Sequence, residues 1–368
     1  MALQRVAIDE LQLGSYVVAV TRQRGDIVVK DAGWVRSPEA LALLKQKGVL
    51  EVAIDPAKQL PAAPAPTEAT TEPKTTAAAK PPRISFEQEI NKAELAFSAG
   101  TQSLQASFPK LLEQEELDFH ELSSVSNRLL ESTKRNSQAL LFLQQVSQQN
   151  DALLQHSLSC ACLMAAFAAR LKLPAEQAQL YTLAALLHDS GALLLQQLYP
   201  NQPYLDSDAT SYSIPMLQQQ PDCPAELLQM IEEHCLSLAQ QQSLGGKMLA
   251  IVNSYSKLTA AGKNSLQAAA SLKKAEGKTL DSELCAEFLQ CVGLYSPGTV
   301  VRLKSGKLGL VLENHSVHPD KPKLKLFYHS LHRHHLPAKL LDLSKQSEEV
   351  IESCADLKKY QLELQHYL

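Results

Sequence analysis

The chain has 368 residues, too long for one ordinary core, since single domains cluster at roughly 100 to 200 residues. With 45% hydrophobic and 20% charged residues its composition is globular, which excludes wholesale disorder. A net charge of -4 excludes a general attraction to nucleic acid or an anionic membrane surface, and no uninterrupted run of about 18 apolar residues reads as a membrane span or signal peptide, so the expected place is the cytoplasm.

Residues 1–55 hold short β-branched runs at Tyr16–Val20 and Asp26–Val29, a helical stretch at Pro38–Leu44 and another strand at Leu50–Ile54. These predict a small α+β module. Over 56–83 the chain turns to Pro, Ala, Thr and Lys, a composition that buries no core and reads as a disordered linker. Ser85-Phe86-Glu87-Gln88 has capping-box spacing, so a helix is predicted to start there. Apolar residues then recur three and four apart, as at Leu140, Leu143 and Val146 or Leu183, Leu186 and Leu187, as far as about Cys291. A helical region over 84–149 therefore leads into an all-α domain over 150–291. Between 292 and 343 a small β appendage is expected: Val300–Leu303, a turn at Ser305-Gly306-Lys307, Leu308–Leu312, and a third strand at Lys323–Phe327. A last helix is expected over 344–368. The fold class is thus multi-domain and mainly α. Seven cysteines, an odd number set in apolar stretches, read as reduced core residues, and Cys160 and Cys162 lack the spacing of a zinc knuckle.

Chemistry centres on His188-Asp189, which ends the apolar run Leu183–Leu187. An imidazole next to a carboxylate holds a divalent ion well, and the carboxylate is able to bridge two. The plain alternative is a hydrogen-bonded core pair. His156 on a preceding helix and His234 on a later one add two imidazoles in apolar settings. A second cluster, His315, His318, His329, His332, His334 and His335 with Lys321, Lys323, Lys325 and Arg333, reads either as a site for an anion or transition metal or as a solvated basic edge that protects strands.

Several segments resemble the HD superfamily of metal-dependent phosphohydrolases, and in particular the HD-GYP family of bacterial cyclic-di-GMP phosphodiesterases. They are Asp151–Ser157, which ends in His156-Ser157; Ala184–Ala192 around the dyad; Met248–Thr259; and Gly293–Leu303. Leu11–Val17 and Val52–Asp55 resemble the small domain of unknown function that often precedes it. The resemblance implies an HD-type helical domain, with His188 and Asp189 catalytic if the protein is active and His156, His188, Asp189, His234 and Asn253 at metal positions. It also implies a divalent transition metal, iron, manganese or zinc.

The pattern departs from the family at several places. No histidine stands between Asp189 and His234, Cys235-Leu236 follows His234 where the family has a second histidine and a glutamate, and Gln240–Gly246 replaces the substrate loop. Asn253 stands for an aspartate and Ala192 for a lysine. Three imidazoles and one carboxylate suffice for one ion but not for two or three. The expected function is therefore a degenerate HD-GYP signalling protein that acts by binding cyclic-di-GMP, a related nucleotide or a protein partner, its site metal-free or metal-poor. The alternative is a phosphohydrolase with a reduced, mononuclear site. A third reading is a scaffold that forms a homodimer through the helices between Ile84 and Gln149.

Overall fold

The computed structural model describes residues 4–9, 11, 15–23, 33–35, 45, 48–55, 84–147, 151–200, 202–315 and 317–368. The chain divides into two compact units, Met1–Ala77 and Ala78–Leu368. In the first, β1 (Gln4–Ala7), β2 (Tyr16–Gln23), β3 (Gly33–Trp34) and β4 (Val49–Ile54) form an antiparallel sheet in the order β1-β4-β2-β3. Ile8, Leu11, Val17, Val35, Val49 and Val52 make its small core. The expected strand at Asp26–Val29 and nearly all of the expected helix at Pro38–Leu44, like the linker over 56–83, lie outside the described residues.

The second unit opens with two long helices, α1 (Phe86–Leu112) and α2 (Phe119–Val146). The predicted capping box is present: the Gln88 amide N–H donates to Ser85 Oγ (3.3 Å) and the Ser85 N–H to Gln88 Oε1 (3.1 Å). Glu89, fully buried on α1, accepts from two of the Arg135 guanidinium nitrogens, Nε and one Nη, and from the Ser132 hydroxyl of α2, which pins the pair in register. α2 breaks at Asn136, whose side-chain amide donates to the Ile84 carbonyl and to Glu313.

Around the following helix the domain core condenses. α3 (Ala152–Leu171) starts on Asp151, whose carboxylate accepts from the Leu153 and Leu154 N–H groups, and it buries Cys160, Cys162, Leu163, Met164 and Phe167. Among the described residues it is the one helix long and apolar enough to cross a membrane, but 78% of that window is buried in the protein, as in a core helix. All seven cysteines are free thiols, as expected, but only Cys160, Cys162 and Cys285 are buried in the core, while Cys223, Cys235, Cys291 and Cys354 are half-buried. α4 (Ala175–Leu187), α5 (Gly191–Leu198), α6 (Asp206–Gln218), α7 (Ala225–Glu233), α8 (Leu244–Ala260), α9 (Ser265–Ala275) and α10 (Ser282–Val292) complete the helical part. Its end at Val292 agrees with the change of pattern seen near Cys291.

The β appendage has five strands where three were expected: β5 (Val300–Leu303), β6 (Lys307–Glu313), β7 (Lys323–His329), β8 (His334–Asp342) and β9 (Ile351–Cys354), in the order β8-β7-β6-β5-β9. The glycine turn is where expected, with Gly306 at φ +86°, a conformation that favours a residue without Cβ. The last helix expected over 344–368 is corrected. Strand β9 and the short 3-10 turns Leu343–Lys345, Leu357–Tyr360 and Leu364–Tyr367 take its place. The reason is the open edge of β5: Val301 pairs with Cys354 and Arg302 with Ser353, and these ladder bonds outweigh the local helical spacing.

Candidate functional site

Four helices of the second unit deliver the predicted site residues to one place. His156 lies in the second turn of α3, His188 caps the C-terminus of α4 with Asp189 next to it, His234 caps α7, and Asn253 sits within α8. All five are buried, at 1–9% exposure, so their interactions act in a partly desolvated setting. The rings of His156 and His188 are 5.2 Å apart and those of His188 and His234 5.4 Å apart, centre to centre. His156 Nε2 is 4.0 Å from Asp189 Oδ2.

Two close approaches position the dyad. The Gly191 N–H donates to Ser213 Oγ (2.7 Å), whose hydroxyl donates to the His188 carbonyl (3.0 Å), clamping α6 against the turn. A Cβ on Gly191 would lie 2.1 Å from the Ala209 carbonyl oxygen, so only glycine fits here. On the other side, Glu233 ties the α7–α8 loop by accepting from the Ser243 N–H and hydroxyl.

The partners fix the protons. His188 Nδ1 donates to the Ala185 carbonyl (3.0 Å) and His234 Nδ1 to the Ile231 carbonyl (2.5 Å), which leaves both Nε2 atoms as lone pairs. His188 Nε2 is buried without a hydrogen-bond partner. His156 is wired differently. Its Nε2 meets Asn253 Oδ1 at 3.0 Å, an atom that only accepts, and its Nδ1 takes the Ser256 hydroxyl at 3.0 Å. Asn253 in turn donates to Asp206 Oδ2 (2.9 Å), and the Lys257 ammonium bonds Asp206 Oδ1. A directed relay therefore runs His156 to Asn253 to Asp206, closed from the far side by Lys257.

Electrostatics follow from burial. All three imidazoles are pushed down to about 4 by desolvation, so they are neutral near pH 7. Burial pulls the Lys257 amine down, but Asp189 and Asp206 outweigh it and hold the group above its ordinary value. For Asp206, burial pushes the carboxyl up and Lys257 outweighs that, leaving it below its ordinary value. A cleft of about 260 Å³, lined by Leu205, Asp206, His234, Cys235, Ser254 and Leu280, opens beside this network.

Ligand atoms of His156, Cys160 and His188 lie within 4.8 Å of one another, a spacing that suits a metal ion. His188 and His234 have the tautomer a ligand needs. The rest fits poorly: both His156 nitrogens are engaged, and burial pushes the Cys160 thiol up to about 12, whereas a metal takes the thiolate. Asp206 is already satisfied at both oxygens. The set does not fit a centre of two or three ions.

Residues 3–122 match a domain of unknown function, DUF3391, and residues 137–210 match the HDOD domain. The chain carries an HDOD domain behind a DUF3391 domain. That HDOD match takes in His156, His188, Asp189 and Asp206, while His234, Asn253 and Lys257 lie beyond it. The whole chain is 27% identical over 377 residues to "Cyclic di-GMP phosphodiesterase PA4108" of Pseudomonas aeruginosa, covering 94% of this chain and 90% of the relative. A solved structure, Bd1817, an HDG"Y"P protein from Bdellovibrio bacteriovorus, aligns with TM-score 0.44 and 15% identity over 78% of this chain and 98% of that one. The resemblance drawn from the motifs thus agrees with homology along almost the full length.

Sequence reasoning named five residues that converge, and it missed four others. Cys160 follows His156 by four residues, one turn along the same helical face, which was a readable signal. Ser256 and Lys257 fall three and four residues after Asn253, one turn along the same helix, which was the other legible sign. Asp206 had no such signal, because an acidic residue at a helix start is ordinarily a dipole partner.

Proposed function

We propose that this chain is a cyclic-di-GMP-related signalling protein whose HD-type domain acts by binding a nucleotide or a protein partner without turning it over. The observation that carries this reading is the donor set. His156 and Asn253 spend their polar atoms on each other, on Ser256 and on Asp206, Asp206 is closed by Lys257, and Asp189 is left as the one carboxylate beside two open imidazoles. Phosphodiester hydrolysis by paired ions needs bridging carboxylates and more ligands than these. The relative's name supports cyclic-di-GMP as the ligand class. Calorimetry of the full chain with cyclic-di-GMP is expected to give saturable binding, with no linear product formed when Mn²⁺ is added. Hydrolysis that disappears in Asp189→Ala would overturn the reading.

One observation favours a second reading, a phosphohydrolase with a single iron, manganese or zinc ion. His188 Nε2 is a buried acceptor without a partner, close to His156 and Cys160, and a catalytic metal manages with three protein ligands and a water. Metal-dependent turnover together with one firmly held ion per chain would select it.

A further inference from the structure

We infer that Lys257 is the resident cation of this site: its ammonium, bonded to Asp206, supplies by covalent attachment the positive charge a dication would bring, and makes the site metal-independent. The inference deepens the proposed function and rests on its reading that the ligand set is incomplete. It begins from charge. Asp189 is buried among neutral imidazoles and Asp206 stands partly exposed at their edge, and carboxylates drawn even part-way out of water are stabilised by a neighbouring cation. Lys257 fills that need from within the fold. It stands one turn beyond Asn253 on α8, so the helix that would present a metal ligand presents an ammonium as well.

The neighbours are adapted to it. An aspartate at 253 would set its carboxylate against Asp206, whereas the amide of Asn253 donates to Asp206 at 2.9 Å and passes its oxygen to His156. Lys257 and Asn253 thus take one Asp206 oxygen each. Any dication among these groups would meet like charge from Lys257 and would have to break the relay through His156. The direction of the Lys257 shift agrees, since Asp189 and Asp206 are the charges that keep it protonated.

Full-length protein purified without a histidine tag, loaded with Mn²⁺ and dialysed, tests this by elemental analysis and thermal melts. Wild type should keep far less than one ion per chain, its Tm unmoved by Mn²⁺ or chelator. Lys257→Ala should bind Mn²⁺ at least about tenfold more tightly than wild type and melt higher as Mn²⁺ is added. Lys257→Arg, which restores the cation, should return to wild-type indifference. Should Lys257→Ala fail to fold, Lys257→Met keeps the apolar stem and carries the same measurement. A wild type that retains one Mn²⁺ per chain overturns the inference, as does a folded Lys257→Ala or Lys257→Met with no gain in Mn²⁺ affinity. The proposed function fails separately: a metal-indifferent wild type that hydrolyses cyclic-di-GMP, with the activity lost in Asp189→Ala, sinks that reading and leaves this one standing.

Discussion

Histidines gather at two places in this protein, and the two gatherings behave in opposite ways. In the helical domain His156, His188 and His234 are buried, neutral and held by named acceptors. On the β7–β8 hairpin His329, His332 and His334 lie as close together, 4.4–6.1 Å between ring centres, yet His332 and His334 are exposed. His334 and His335 belong to β8, the outer strand of its sheet, where polar and charged side chains discourage edge pairing. Crowding of imidazoles alone does not make a site. What separates the two is desolvation together with directional partners, because a buried ring must commit each nitrogen to one role while an exposed ring leaves that to water.

The largest effect that tests this contrast is acid unfolding. The three site imidazoles have folded values near 4 against 6.5 ordinarily, so between those values the unfolded chain binds more protons than the folded one. Stability is present above pH 6.5 and is lost as pH falls towards 4. Chelator-treated protein followed by circular dichroism should unfold across that window, and a flat response would show that the rings are not buried as described. Next in size, Gly191→Val forces a side chain into the Ala209 carbonyl beside the dyad, and chemical denaturation should show a loss of about 3 kcal/mol or more. Smaller again, Asn253→Asp replaces a donor to Asp206 with a second carboxylate. Its cost without added metal should be about 1–3 kcal/mol, and a wild-type melting curve would mean that the amide contact does not form. The smallest change belongs to the hairpin: His332→Ala with His334→Ala should stay within about 0.5 kcal/mol of wild type and leave the acid transition where it was.

Much of this was legible beforehand, for identifiable reasons. Ser85 and Gln88 announce a helix because capping is local, and the helical period is readable in α1 and α10 because each buries one face, whereas α3 is buried nearly all round. The five site residues could be named because His188-Asp189 and its flanking motifs carry a family resemblance. Their wiring could not. That Asn253 turns its oxygen to His156 and its nitrogen to Asp206 depends on a partner 47 residues away in the chain.

Local and periodic information therefore decided the element types: the strands that open the chain, the all-α middle and the glycine turn at Gly306. Tertiary structure alone decided two things. At the C-terminus the free edge of β5 drew Ile351–Cys354 into a strand against its own helical spacing, since ladder bonds to a neighbour outweigh a weak local preference. At the rim of the site, α6 and α8 brought Asp206 and Lys257 together beside Asn253, and which cation answers a partly buried carboxylate is settled by what packs beside it, not by what precedes it in the chain.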